Sequence, residues 1–353
     1  MRPVRNLAEI GSEFWIEANA QSSVLSRRYA LSGRTAIDLI LQDMMTSGQN
    51  TSSVYMPAWC CESMLQPFMD RGVGVRFYDV TSDTDGFRGI VDVSHKTDIL
   101  YVANYFGYGS TLPVSVVNQF KEQGATIIYD RTHALFRNED EHPSWADYTF
   151  ASIRKWLGVA SGAVVRKHSG HLSLPVMKDC DHVPAKWEAM ALKAAYLQNP
   201  SQSVKEVYLK AFETFGHALS TDYRNYRMDD VSLSVWLTAD RDSIRTQRRK
   251  NALFVQEAVR QVRQIRPIFH LQADDCPLCV PVLLPCREER DGLRRLLTGK
   301  GVYCPVHWPK PDDIPSEFSV NSIYDSELSL LCDQRYTPDD LQRMVDIIKH
   351  YFQ

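Results

Sequence analysis

The feature that most constrains the fold of this chain is a rhythm between positions 54 and 130. Strand-like segments at 54–58, 73–80, 99–104 and 126–130, the last an unbroken apolar run, alternate with helical patterns at 63–70 and 114–123, the first of them closed by Gly72. A strand apolar on both faces must be covered on both, and a helix between successive strands supplies the crossover that parallel neighbours need. The pattern predicts an α/β fold with a mostly parallel sheet covered by helices.

The rest of the chain extends this plan. Positions 185–218 read as mainly helical, Tyr223 to Met228 as a basic, aromatic loop, and about 230–262 as a long helical region. Beyond 265, a strand at 280–284, a helix at 287–297, a strand near 328–331 and a final helix at 337–352 read as a smaller α+β domain. Thr337-Pro-Asp-Asp340 marks the start of that last helix. With 353 residues, the chain divides into an irregular segment at 1–30, a large domain at 31–230, and a linking helix with a small domain at 231–353. Phe14 and Trp15 are expected to pack the first segment onto the main body.

A net charge of -3 gives no basis for binding nucleic acid or a membrane surface. The N-terminus lacks the apolar core of a signal peptide and no segment reads as a membrane span, so the expected location is the cytoplasm. Eight scattered cysteines are expected to be reduced thiols. Cys276 and Cys279 have redox or zinc spacing without a second such pair, and read as two buried thiols beside a strand rather than a metal site.

The chemistry is expected where the rhythm is interrupted. Lys155 stands between the strand-like runs 148–151 and 163–165, in a turn closed by Gly158 and Gly162. An amine held against apolar surface favours its neutral, nucleophilic form and is suited to a Schiff base. A solvated turn lysine is the alternative, and the surroundings decide. Ser152 offers a hydroxyl three residues earlier. Asp130 ends a buried strand on the edge where open α/β sheets bind ligands, where a carboxylate can hold a protonated pyridine nitrogen. Ser32 caps a helix with apolar positions at Ala36, Ile37, Ile40, Leu41, Met44 and Met45. Its free amides, with Arg34 and Thr35, make a natural phosphate seat.

Eight segments occur in a telling order: Ser32-Gly-Arg-Thr-Ala36, Pro57-Ala-Trp-Cys-Cys61, Asn104-Tyr-Phe-Gly107, Tyr129-Asp-Arg-Thr-His133, Ser152-Ile-Arg-Lys155, Asn225-Tyr-Arg227, Val306-His-Trp-Pro309 and Asp333-Gln-Arg-Tyr336. From about residue 30 onward the chain resembles the DegT/DnrJ/EryC1/StrS family of pyridoxal-phosphate enzymes. The resemblance implies the type I fold of aspartate aminotransferase, with a seven-stranded type of sheet and a smaller C-terminal domain, and pyridoxal 5'-phosphate as cofactor. It implies that Lys155 forms the Schiff base and moves the proton, that Asp130 holds the pyridinium, and that His133 stands near the ring oxygen. The amides around Gly33, Arg34 and Thr35 and the Ser152 hydroxyl would hold the phosphate. Asn225 would reach it from a partner subunit, so the resemblance implies a homodimer with shared active sites.

Several positions depart from the family pattern. Tyr129 replaces the usual glutamate before Asp130, Phe150 stands where many members have the phosphate serine, and the glycine pair after the lysine becomes Gly162-Ala163. The ring-stacking position aligns with Cys61, leaving Trp59 or Cys61 to face the cofactor. Asn104 and His307 are the expected substrate contacts, each with a structural role as the alternative. The implied reaction moves an amino group from glutamate or glutamine to a keto sugar, nucleotide-linked in the leading reading. Dehydration or another reaction, such as a transfer, on an amino acid or natural-product intermediate and a non-catalytic sensor are the alternatives.

Overall fold

The computed structural model describes residues 10–11, 29–83, 86–109, 111–139 and 143–353. Phe14 and Trp15 lie outside these. In chain order the elements are β1 (Ile10–Gly11), β2 (Tyr29–Ala30), α1 (Gly33–Thr46), β3 (Ser53–Pro57), α2 (Glu62–Met69), β4 (Gly74–Ser82), β5 (Phe87–Ile90), β6 (Ile99–Ala103), α3 (Val114–Glu122), β7 (Thr126–Asp130), β8 (Tyr148–Ser152) and β9 (Ala163–Lys167). They continue as α4 (Val183–Gln198), α5 (Gln202–Thr221), α6 (Asp230–Thr238), α7 (Arg241–Val259), β10 (Arg266–Pro267), β11 (Val280–Leu283), α8 (Arg287–Gly299), β12 (Val302–Tyr303), α9 (Val320–Ser326), β13 (Glu327–Leu330) and α10 (Pro338–Tyr351).

The main sheet has the order β2-β9-β8-β7-β6-β3-β4-β5. Its five central strands, β8 to β4 in that order, are mutually parallel, and β9, β2 and β5 join antiparallel at the edges. The expected α/β architecture is present, with eight strands instead of seven. β2 has only two residues and β5 is a short edge strand, too little apolar sequence to be read from the pattern. β6 and β8 are buried along their whole length, as unbroken apolar runs require.

Because the central strands run one way, β3, β6, β7 and β8 end at the same edge. The segments that follow them carry Cys61, Asn104, His133 and Lys155 to neighbouring positions. Ala103 pairs with Asp130 and Asp130 with Phe150, so the carboxylate lies at the centre of that edge.

A second core gathers α7, α8, α10 and the antiparallel sheet β10-β11-β13 around Val255, Val282, Leu293, Leu328 and Met344. Ile10 belongs to it, since β1 pairs in parallel with β12. The helical region expected as one piece at 230–262 is two helices. Asp240 caps the second by accepting from the Ser243 amide at 3.0 Å. α10 starts with the capping box of Thr337 and Asp340. No helix among the described residues is long and apolar enough to cross a membrane.

Candidate active site

Lys155 ends a single 3-10 turn, Ile153–Lys155, that follows β8. The turn is held from three sides. Ile153 donates its amide to the Gly162 carbonyl at 2.9 Å, and Gly162 donates to the Leu31 carbonyl at 2.7 Å, just before α1. Trp156 donates from Nε1 to the Thr132 carbonyl at 2.7 Å, and Gln334 donates from Nε2 to the Trp156 carbonyl at 2.6 Å. Gly162 has φ +143, and a Cβ there would lie 2.8 Å from Met228 Cε and 3.2 Å from Ile153 Cβ. The glycine is required by both conformation and space.

The Lys155 amine opens into a cavity of about 140 Å³ whose lining includes Asn104, Asp130, His133 and Trp308. Asp130 is buried and accepts from Tyr101 Oη and from the Thr132 amide, each at 2.7 Å. Burial raises its pKa, while these hydrogen bonds and the Lys155 charge oppose the rise. Both direct partners are neutral, so the carboxylate is oriented but not charge-matched by them. Asn104 donates from Nδ2 to Tyr129 Oη at 3.3 Å, while its Oδ1 is buried without a hydrogen-bond partner among the described residues.

His133 Nε2 is 3.2 Å from Lys155 Nζ, and His133 Nδ1 accepts from the Phe106 amide at 3.4 Å. An accepting Nδ1 puts the proton of a neutral ring on Nε2, facing the amine. Burial first, then the Lys155 charge, holds the His133 pKa well below its ordinary value, so the ring is neutral at physiological pH.

At the other end of the cavity stands the start of α1. Ser32 accepts the Thr35 amide at 3.2 Å, and Gly33, Arg34 and Ser152 line the wall. The arrangement gives a helix N-terminus, a guanidinium and a hydroxyl at one place, suited to an oxyanion. Thr35 does not take part as expected. Its hydroxyl donates to the Tyr223 carbonyl at 2.8 Å and its amide is used by Ser32.

Of Trp59 and Cys61, only the second lines the cavity. Trp59 is fully buried behind the cavity, with its ring centroid 4.6 Å from Tyr105 and 5.6 Å from Trp308, while Cys61 lines the wall. The aromatic side chain at the amine is Trp308, 5.6 Å from Lys155 Nζ to its ring centroid. Asn225 lies outside the cavity of its own chain, with φ 60 and its Oδ1 accepting from Gln42 at 2.8 Å.

His307 lines a second cavity of about 550 Å³, which shares Ser152, Arg154 and Lys155 with the first. Burial and the Lys155 charge depress the His307 pKa to about 3. Arg154, Lys186, Arg248, Arg294 and Arg335 line this space against Asp333, which Arg335 engages through two guanidinium bonds. Tyr101, Thr132, Arg154 and Trp308 were not singled out in the sequence. Thr132, Arg154 and Trp308 carried a signal in their places within the quoted segments, beside His133, Lys155 and His307; Tyr101 carried none. Cys276 and Cys279 are buried free thiols, as expected.

Comparison with solved structures identifies the architecture. PseC from Helicobacter pylori, an aminotransferase involved in the biosynthesis of pseudoaminic acid, superposes with a TM-score of 0.66 at 14% identity, over 92% of this chain and 86% of that one. The chain shares the fold of the DegT/DnrJ/EryC1/StrS aminotransferases. One bearing that family name, from Brucella abortus, gives a TM-score of 0.59 at 15% identity, covering 92% and 85%. Spr1654 from Streptococcus pneumoniae, in its PLP form, gives 0.63 at 16%, covering 92% and 86%. No family profile and no curated protein matches the sequence.

Proposed function

We propose that the protein is a pyridoxal-phosphate-dependent aminotransferase that moves an amino group from glutamate or glutamine to a keto sugar, most simply a nucleotide-linked one. The observation that carries the reading is that one cavity joins the Lys155 amine, the buried Asp130 carboxylate and the N-terminus of α1.

These residues fit the cofactor. Lys155 is the covalent anchor. Asp130, held by Tyr101 and Thr132, would hold the cofactor's positive ring nitrogen, whose charge would supply the match its neutral partners do not. The buried, unpartnered Asn104 Oδ1 and the donor on His133 Nε2 address polar groups of the ring or substrate. The amides of Gly33 and Arg34, with Ser152 and Arg154, would hold the phosphate. When bound, the cofactor supplies an electron sink that stabilises a carbanion at the substrate carbon.

Lys155 Nζ takes the proton from the α carbon of the donor and returns one to the carbon being aminated. His133, neutral and fixed by the Phe106 amide, orients that amine. Trp308 closes one side and limits water. The larger cavity meets the first at Lys155, and its predominance of basic side chains favours an anionic acceptor such as a sugar carrying a diphosphate.

A homodimer follows if the partner's Asn225 completes the phosphate seat, since Asn225 lies away from the cavity of its own chain. Eight unpaired cysteines suit a reducing cytoplasm.

The test is to load the protein with pyridoxal phosphate, record its visible spectrum, add glutamate or glutamine, and then supply keto sugar nucleotides. Bleaching by the donor, followed by recovery with a keto sugar, is expected. A band that responds to no amino donor would refute aminotransfer, and loss of water from the substrate without a donor would establish the dehydratase alternative.

A further inference from the structure

A carboxyl that the proposed chemistry does not use lies behind His307. Glu327 opens β13 and Ser329 follows two residues later on the same face; both are fully buried. Glu327 Oε2 accepts the His307 amide at 2.7 Å, and Glu327 Oε1 is 2.6 Å from Ser329 Oγ. The same Oγ is 2.7 Å from His307 Nδ1 and accepts from Cys279 Sγ at 3.2 Å. A serine hydroxyl has a single proton, so it donates to only one of these neighbours at a time.

We propose that Glu327, acting through Ser329, decides which ring nitrogen of His307 carries the proton, making Glu327 and Ser329 positioning residues for His307 at the active site. With Glu327 ionised, Ser329 donates to the carboxylate and accepts from His307 Nδ1–H, which leaves Nε2 as an acceptor. With Glu327 protonated, its O–H donates to Ser329, the serine hydroxyl turns to donate to Nδ1, and the ring proton resides on Nε2. Glu327 takes up one proton between these states. His307 carries one proton throughout, exchanged between its nitrogens through solvent.

The charges around the relay allow this to occur in a useful range. Burial raises the Glu327 pKa to about 8. Its hydrogen bonds from Ser329 and the His307 amide, and the charge of Arg290 on α8, oppose the rise without cancelling it. Arg290 Nη1 is itself committed to the carbonyls of Tyr324 and Glu327, at 3.1 Å each. Cys279, before β11, and Cys304, after β12, are the neighbouring thiols, and burial holds both in the neutral form. Toward the cavities, His307 faces Lys155 and His133. His307 itself remains uncharged because its own pKa is depressed to about 3, so its tautomer changes and its charge does not.

The tautomer rests on this geometry alone; its consequence for turnover rests on the aminotransferase reading. The test is a nitrogen-15 spectrum of the full-length apoprotein labelled at histidine, taken from about pH 6 to 10, with the His307 signals assigned by their loss in His307→Gln. The expected wild-type result is the Nε2–H form at low pH giving way to the Nδ1–H form near pH 8. Glu327→Gln, whose amide nitrogen always donates to Ser329, is expected to hold the Nε2–H form throughout. Ser329→Ala is expected to remove the pH dependence.

A wild-type His307 that keeps one tautomer over the whole range would overturn the proposal, as would an unchanged transition in Ser329→Ala. Should Glu327→Gln fail to fold, the wild-type titration and Ser329→Ala still decide. No cofactor is present, so a failure of the aminotransferase reading leaves the result interpretable.

Discussion

Replacing Glu327 by glutamine should change how stability depends on pH. The wild-type carboxyl shifts from an ordinary 4.5 to about 8 on folding, so the folded state holds this proton more tightly than the unfolded chain. Its contribution is therefore fully present below about pH 4.5 and is lost as pH rises through about 8. Across that window the slope approaches about 1.4 kcal/mol per pH unit. Between pH 5.5 and 7.5, wild type should lose roughly 2–3 kcal/mol that the glutamine variant keeps. Glutamine preserves both contacts: its carbonyl accepts from the His307 amide and its NH₂ donates to Ser329. Urea unfolding of the two apoproteins at these pH values reads the difference directly. Parallel curves, with the two proteins separated by a constant amount, would refute the claim that burial of Glu327 controls its titration.

Other expectations concern the site itself. Asp130→Asn removes the charge that holds the ring nitrogen and should lower kcat by about 10²-fold or more, with the fold retained by circular dichroism. Tyr101→Phe deletes one hydrogen bond to that carboxylate and should cost about 1.5–3 kcal/mol in cofactor affinity, read by fluorescence titration. Gly162→Ala forces a side chain into positive φ against Met228 and should destabilise the protein by about 1–3 kcal/mol in urea, while also weakening cofactor retention. Arg154→Ala should raise the cofactor dissociation constant about tenfold, equivalent to about 1.4 kcal/mol, in the same titration.

The parallel core and most of the site were legible because they depend on local signals. Unbroken apolar runs locate β6, β7 and β8, and parallel strands bring their ends to one edge, so Asp130 and Lys155 could be associated before any coordinates. Trp308 could not be placed by such reasoning, since its position depends on how the segment after β12 docks on the main sheet. The choice between Trp59 and Cys61 stayed open for the same reason: adjacency to a strand end does not say whether a ring faces the cavity or the packing behind it. Thr35 illustrates a different limit. A hydroxyl at a helix start suits a phosphate as well as a neighbouring carbonyl, and the chain at Tyr223 settles which. Glu327 and Ser329 were not singled out, because their partner His307 lies 20 residues away from Glu327 and nothing local marks the pairing.

The most direct test of the central claim is to reduce the pyridoxal-phosphate-loaded protein with borohydride, digest it and locate the modified residue by mass spectrometry. The account predicts a single pyridoxyl adduct on Lys155, absent from Lys155→Ala. An adduct spread over surface lysines, or none on Lys155, would contradict it.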